Sequence, residues 1–331
     1  MTGALKQLAR AGLHRWGGLR PILWKSRRNF RILTYHRFSP TLYPSVRADL
    51  ERQCAFLARH FQMVPLAEIG QAMETGKQLP PNALTVTIDD GYRDFFAEAF
   101  PVFNAWGVPA TVFLITDFID GKLWPWWNQV EYAVEHSRAA TVRLPIFQDT
   151  PGQDSPPELF RRTEEERIRT TSVICGKLVR VPNQVRLDFL RMLPELFQVD
   201  IPSHAPAEFA ALTWDEIRSM REVGVEFGAH TKTHPVLTNV EDTDSIHEEV
   251  AGSKARIETE LKCATLHFCY PNGDFHEAAL EAVERCGFQT AVTTQPGMNR
   301  RGAHRYRLKR FSVEPNLSDY YFREEVAGMH V

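Results

Sequence analysis

Two neighbouring carboxylates, Asp89 and Asp90, end the apolar, β-branched run LTVTI (84–88) and are followed at once by Gly91. Such a run reads as a buried strand, which puts both acids at its C-terminal mouth. Side chains of adjacent strand residues point to opposite faces, but a turn beginning at Gly91 swings both into one cleft. Carboxylates held together attract a cation. Far downstream, GAHTKTHP (228–235) supplies His230 and His234 after a short apolar segment. Imidazole is the commonest protein ligand of zinc-like metals, and one Asp with two His leaves positions open for water and substrate. Each motif also has an ordinary reading: Asp and Gly both favour turns, and two His in a loop are often surface or capping residues.

A third segment, FCYPNG (268–273), completes an ordered set with TIDDGY and HTKTH. In that order the chain resembles the metal-dependent polysaccharide deacetylases, the carbohydrate esterases with a NodB homology domain, and among them the exopolysaccharide-type members. The likeness runs from about Ile32 to Val313, broken by one long insertion. It implies an α/β fold, a distorted (β/α)7–8 barrel, with Asp90, His230 and His234 on a divalent metal and Asp89 as general base. The metal is expected to be Zn²⁺, although Asp-His-His also accepts Co²⁺ or Ni²⁺. The third motif departs from the family pattern, in which an Arg contacts the base and a Tyr backbone N–H faces the oxyanion. Here Cys269 stands at the Arg position and Asn272 at the Tyr position. Any residue but proline donates a backbone N–H, so the oxyanion role passes to Asn272. The arginine role does not, and Arg310 in RLKRF, similar in position to the terminal arginine of exopolysaccharide-type deacetylases, is the candidate partner of the base. The usual Leu-x-His acid is not evident. His36 in ILTYHRF resembles the Tyr-His of poly-N-acetylglucosamine deacetylases and is the candidate general acid, since imidazole can donate a proton near neutrality.

The elements that must position these groups follow from periodicity. RILTY (31–35) reads as a first strand, Arg47 to His60 as an amphipathic helix, Met63 to Pro65 as a short strand and Leu66 to Glu74 as a second helix. Phe95, Phe96, Phe100 and Phe103 mark a helix packed in the core, and ATVFLI (110–115) another strand. From about 120 to 206 alternation stops; this stretch reads as a helical insertion at a strand's C-terminal end, where barrels carry the loops that shape pockets. Within it Trp124 and Trp127, together with Tyr270 and Pro271, are the candidate sugar contacts, because an aromatic face suits the apolar face of a pyranose. Burial between insertion and barrel is the competing reading of the tryptophans. Thr213 with Glu216 forms a capping box, and strands ending near Phe227, Phe268, Val292 and Val313 complete the set.

The chain has 331 residues, 43% of them apolar, and a net charge of −2, which suits one large core and gives no sign of nucleic-acid binding. Five scattered cysteines without a CxxC pair argue against a disulfide framework and a cysteine zinc site, so a cytoplasmic location is expected. The domain is taken to span 31–331, preceded by a basic amphipathic segment, 1–30. Every charged residue from Met1 to Ala48 is Lys or Arg. Leu5, Leu8, Leu13, Trp16, Leu19 and Trp24 interleave with them, so the segment is either a peripheral contact for anionic lipid at the inner membrane face or a basic arm. The activity expected is metal-dependent N-deacetylation of an N-acetylated sugar in a surface polysaccharide or its lipid-linked precursor. A catalytically silent glycan-binding barrel and a hydrolase of O-acetyl esters or small amides are the alternatives.

Overall fold

The computed structural model of the protein describes residues 18–330 except 140, 145, 147–157 and 161–162. After helix α1 (Leu19–Lys25), β1 (Arg31–Tyr35), α2 (Val46–His60), the two-residue β2 (Gln62–Met63), α3 (Leu66–Thr75) and β3 (Ala83–Ile88) alternate strand with helix. A wide helical turn over Phe95–Ala99 then runs directly into α4 (Phe100–Ala105), with Pro101 near the join. Next come β4 (Ala110–Leu114) and the short α5 (Thr116–Ile119). The insertion follows, with α6 (Trp126–His136), β5 (Thr141–Arg143), β6 (Glu158–Phe160), α7 (Glu164–Leu178) and α8 (Asn183–Phe197). The main alternation returns with α9 (Trp214–Glu222), β7 (Glu226–Ala229), α10 (Thr243–Leu261), β8 (His267–Cys269), α11 (Glu277–Arg285), β9 (Thr290–Val292), β10 (Phe311–Ser312) and α12 (Asp319–Ala327).

The main strands pair in the order β10-β1-β3-β4-β7-β8-β9, every pair parallel, with β2 beside the start of β3. Parallel order puts all the C-terminal ends on one side, where the motifs collect. The two edges of this curled sheet meet through one segment. Leu308 N–H donates to Ala291 O at 3.0 Å, Thr293 N–H donates to Leu308 O at 2.9 Å, and three residues later Phe311 pairs with Leu33. The chain from 308 to 312 therefore bridges β9 to β1. The architecture is the expected distorted barrel. Strand β3 is buried along its length because barrel interior and helices cover its two faces, which explains its run of apolar and β-branched residues.

The insertion has an apolar core of its own, with Val130, Ile174, Leu178, Phe189, Leu193 and Phe197 fully or nearly fully buried. It is not wholly helical: β5 and β6 pair as an antiparallel hairpin, too short and too distant in sequence to show a period. A second cluster, Tyr92, Ile115, Phe118, Trp124 and Phe209, joins the insertion to the barrel mouth.

At the other end of the chain order, α1 buries Leu19 and Leu23 and packs on α12. Arg31 fixes this junction: its Nε donates to Val326 O at 2.8 Å and its Nη2 to Ser26 Oγ at 2.6 Å. Leu5, Leu8, Leu13 and Trp16 lie outside the described residues. Among the described residues no helix is long and apolar enough to cross a membrane.

Candidate active site

Asp89 and Asp90 leave the end of β3 in different directions. Asp90 has φ +76° and Gly91 φ +88°, so the chain reverses at once. A side chain at Gly91 would put its Cβ 3.0 Å from Ile119 Cδ1 and 3.1 Å from Leu114 Cδ2, so the turn depends on glycine. Asp89 turns toward the bridging segment. Arg310 Nη1 donates to Asp89 Oδ1 at 2.7 Å and Nη2 to Oδ2 at 2.6 Å, a bidentate pair with both partners buried. The remaining guanidinium hydrogens go to Thr293 O, Thr87 Oγ1 and Cys269 Sγ, which uses all five donors. Burial alone would raise Asp89, but the Arg310 charge overrides it and holds the carboxyl well below the usual range. His36 reaches the same carboxylate from the solvent side, Nε2 to Oδ2 3.6 Å, with 45% of its side chain exposed.

Asp90 turns the other way, toward the two imidazoles. Its Oδ1 lies 3.5 Å from His230 Nε2 and 3.7 Å from His234 Nε2, and the two Nε2 atoms are 3.2 Å apart. His230 Nδ1 faces Cys269 O at 2.7 Å, so Nδ1 carries the hydrogen and Nε2 presents a lone pair. Burial pushes His234 down to about 3, so it is neutral, and its Nδ1 is buried without a partner. Two buried imidazoles and a carboxylate thus aim three ligand atoms at one point, where the two Nε2 lone pairs face each other at 3.2 Å beside Asp90 Oδ1 and repel. A cation at that point resolves the conflict, so the residues fit the expected metal. A second group of potential ligands, Asp89, His230 and Cys269, also converges. It is the poorer set, because both Asp89 oxygens are held by Arg310 and burial pushes the Cys269 thiol up, toward its protonated form.

Backbone strain marks the same place. Asp90, Thr231, His234 and Asn272 all have positive φ, which is rare outside glycine and unusual for a β-branched residue such as Thr231. The His loop is held in that shape by Glu249 of α10, whose Oε2 accepts from Lys232 N–H at 2.8 Å and Thr233 N–H at 2.9 Å. Thr231 Oγ1 accepts from His234 N–H at 3.0 Å. In the third motif, Gly273 packs so close to β9 that a Cβ would lie 2.1 Å from Thr294 N. That approach keeps Asn272 at the mouth, with its backbone N–H unpaired among the described residues.

These groups line a cavity of about 390 Å³. Trp127 forms a wall, its ring 4.7 Å from His234 and its Nε1 donating to Tyr92 Oη at 2.9 Å. Tyr270 also lines the cavity, stacked on Phe275. Trp124 does not: it is 3% exposed, stacks on Phe209 and donates to Pro202 O, because the junction of insertion and barrel needed an apolar filler there. Pro271 is likewise buried in its turn and off the cavity wall. Neither lines the cavity, although the sequence marks both as candidate sugar contacts.

The model of the polysaccharide deacetylase family matches residues 76–291, more than half of the chain. The chain belongs to the polysaccharide deacetylase family. Over 118 residues this deacetylase-family chain is 30% identical to the Bacillus subtilis (strain 168) protein YxkH, named for the same family, covering 36% of the chain and 42% of YxkH. Over 80 residues it is 36% identical to the poly-beta-1,6-N-acetyl-D-glucosamine N-deacetylase of Escherichia coli (strain K12), covering 24% of the chain and 12% of that protein. The matches thus span less than half the length of these relatives. Two solved structures share its fold: the Streptococcus pyogenes deacetylase PplD in complex with acetate (TM-score 0.58, 17% identity, 90% of this chain and 98% of that one) and IcaB from Ammonifex degensii (0.55, 18%, 91% and 97%). Within this site, sequence reasoning missed Thr87, Tyr92 and Glu249. Tyr92 adjoins the DDG motif and was within reach; Glu249 sits in a charged helix with no signal.

Proposed function

We propose that the protein hydrolyses the N-acetyl group of a sugar in a surface polysaccharide or its lipid-linked precursor, with a divalent metal, Zn²⁺ by preference, on Asp90, His230 and His234. The observation that carries this reading is the division of labour between adjacent acids: Asp89 is locked on Arg310, while Asp90 shares one point with two imidazole nitrogens. A metal held by Asp90, His230 and His234 would supply Lewis acidity toward an amide carbonyl and toward water.

The chain's own groups supply the rest. Arg310 keeps Asp89 ionised, so it can take a proton from water as the oxygen attacks the acetyl carbon. A carboxylate held so low is a weak base, and a cation held by Asp90, His230 and His234 would offset that weakness by acidifying nearby water. As the carbonyl oxygen gains charge, the free Asn272 N–H at the cavity wall donates to it. His36, at the solvent edge, gives a proton to the sugar nitrogen as the C–N bond breaks, releasing acetate and the amine. Trp127 offers a ring face for the pyranose.

The test is acetate release from N-acetylglucosamine oligomers and from a lipid-linked N-acetyl sugar, with protein stripped of metal and reloaded with zinc or cobalt. Metal-dependent release is expected, and Asp90→Asn or His234→Ala should lose both bound metal and activity. Full activity in either variant would remove the assignment.

A further inference from the structure

A second cavity, of about 640 Å³, opens on the flank of the barrel at the seam between β9 and β1, where Asn299 pairs with Phe30 just ahead of β1. Asp89 and Asp90 lie at the opposite ends of the strands, and no residue of the mouth lines it. Its charged lining is entirely basic: Arg300, Arg301, Arg307 and Lys309, with His304 beside them and no carboxylate. Arg301 and Arg307 are partly engaged, by Gly76 O at 3.3 Å and by Glu277 at 3.6 Å. Arg300 and Lys309 have no acidic partner among the described residues and are exposed. The cleft has a rigid floor, since the buried Asn299 donates from Nδ2 to Lys309 O at 2.8 Å and accepts from Lys309 N–H at 2.9 Å.

No carboxylate lines the cleft, and Glu277, outside the lining, lies 3.6 Å from Arg307. Like charges gathered around one concavity repel, which disfavours the arrangement unless an anion fills it. Three arginines and a lysine line one cleft with more positive charge than a single carboxylate balances, whereas a phosphate presents several oxygens and up to two charges to guanidinium forks. We propose that this cleft binds a phosphate-bearing ligand. The surface beside it narrows the source. Asn29 lines the cleft and ends the turn from α1, which carries Lys25 and an exposed Trp24 (66%), with Arg27 stacked on the Trp24 ring at 4.2 Å. An exposed indole among bases at the edge of a phosphate cleft suits a phospholipid headgroup in its interface, while the cleft alone would take a soluble phosphate.

The experiment compares full-length protein with Arg300→Glu/Lys309→Glu and, as a milder pair, Arg300→Gln/Lys309→Gln. Inorganic phosphate binding is read by titration calorimetry, and sedimentation with phosphatidylcholine vesicles is measured with and without phosphatidylglycerol. Binding in either arm that falls about tenfold or more in both pairs, with the thermal unfolding transition unchanged, is the expected result. Phosphate binding identifies a soluble ligand; vesicle binding alone, weakened further by Trp24→Ser, identifies a headgroup. No binding in either arm, or binding that both variant pairs retain, overturns the proposal. The readout is independent of acetate release, so it stands or falls apart from the catalytic assignment.

Discussion

At Asp89 a buried carboxylate meets a buried guanidinium that arrives from a segment more than two hundred residues downstream, and removing either partner leaves the other unpaired in the interior. Arg310→Met should therefore lower stability by about 3 kcal/mol, much of it recovered in Asp89→Asn/Arg310→Met, as urea unfolding of the three variants would show. It should also change the pH profile. Arg310 depresses the Asp89 pKa, so its loss raises that pKa, less Asp89 is ionised at a given acidic pH, and the acid limb of kcat/KM moves upward. An acid limb that stays in place would mean that another group is the base. His36→Asn should reduce kcat on an N-acetyl sugar by about a hundredfold and have far less effect on an activated acetyl ester, whose leaving group needs no proton. Equal losses on both substrates would argue against His36 as the acid.

The loops between elements hold the candidate metal site in shape. Glu249 reaches from α10 to two N–H groups of the HTKTH loop, which otherwise keeps Thr231 and His234 in strained conformations. Glu249→Ala should weaken zinc affinity about tenfold or more, measured by chelator competition, with a smaller effect on thermal unfolding. The tryptophans of the insertion divide in the same way. Trp127→Ala, at the cavity wall, should raise KM or lower kcat with little change in stability. Trp124→Ala, in the cluster joining insertion to barrel, should destabilise by about 3 kcal/mol, visible in the unfolding transition. The two outcomes reversed would reassign both side chains.

Over the whole molecule, the insertion, α9 and α10 are bound to each other by polar contacts as well as by apolar packing. Asp120, just after α5, accepts from Trp214 Nε1 at 2.9 Å and from Arg256 Nη2 at 2.8 Å. The fold thereby clamps the start of the insertion to the helices that follow it. Asp120→Ala should cost about 2 kcal/mol and make the insertion more susceptible to limited proteolysis. At the chain's beginning, α1 continues into the flank of the barrel through Arg31 and Asn29, which brings a basic segment beside the basic cleft.

Local chemistry in the sequence determined a good deal of this. LTVTIDDG had to be a buried strand ending in two acids and a reversal, because its residues are β-branched, apolar and then turn-forming. HTKTH had to be a loop with two imidazoles, and the alternation of strand and helix required a parallel sheet with one mouth. Arg310 was suggested only by likeness, since a strand-end arginine is ordinarily solvated and nothing beside it in sequence says that it is buried. Its pairing with Asp89 depends on the 308–312 segment bridging β9 to β1, a contact between the far ends of the sheet. The fates of Trp124 and Trp127 and the hold of Glu249 on the His loop were decided in the same way. Sequence spacing fixes which face of an element a residue occupies; what that face meets is set by how the elements close around the core, and only the tertiary structure contains that.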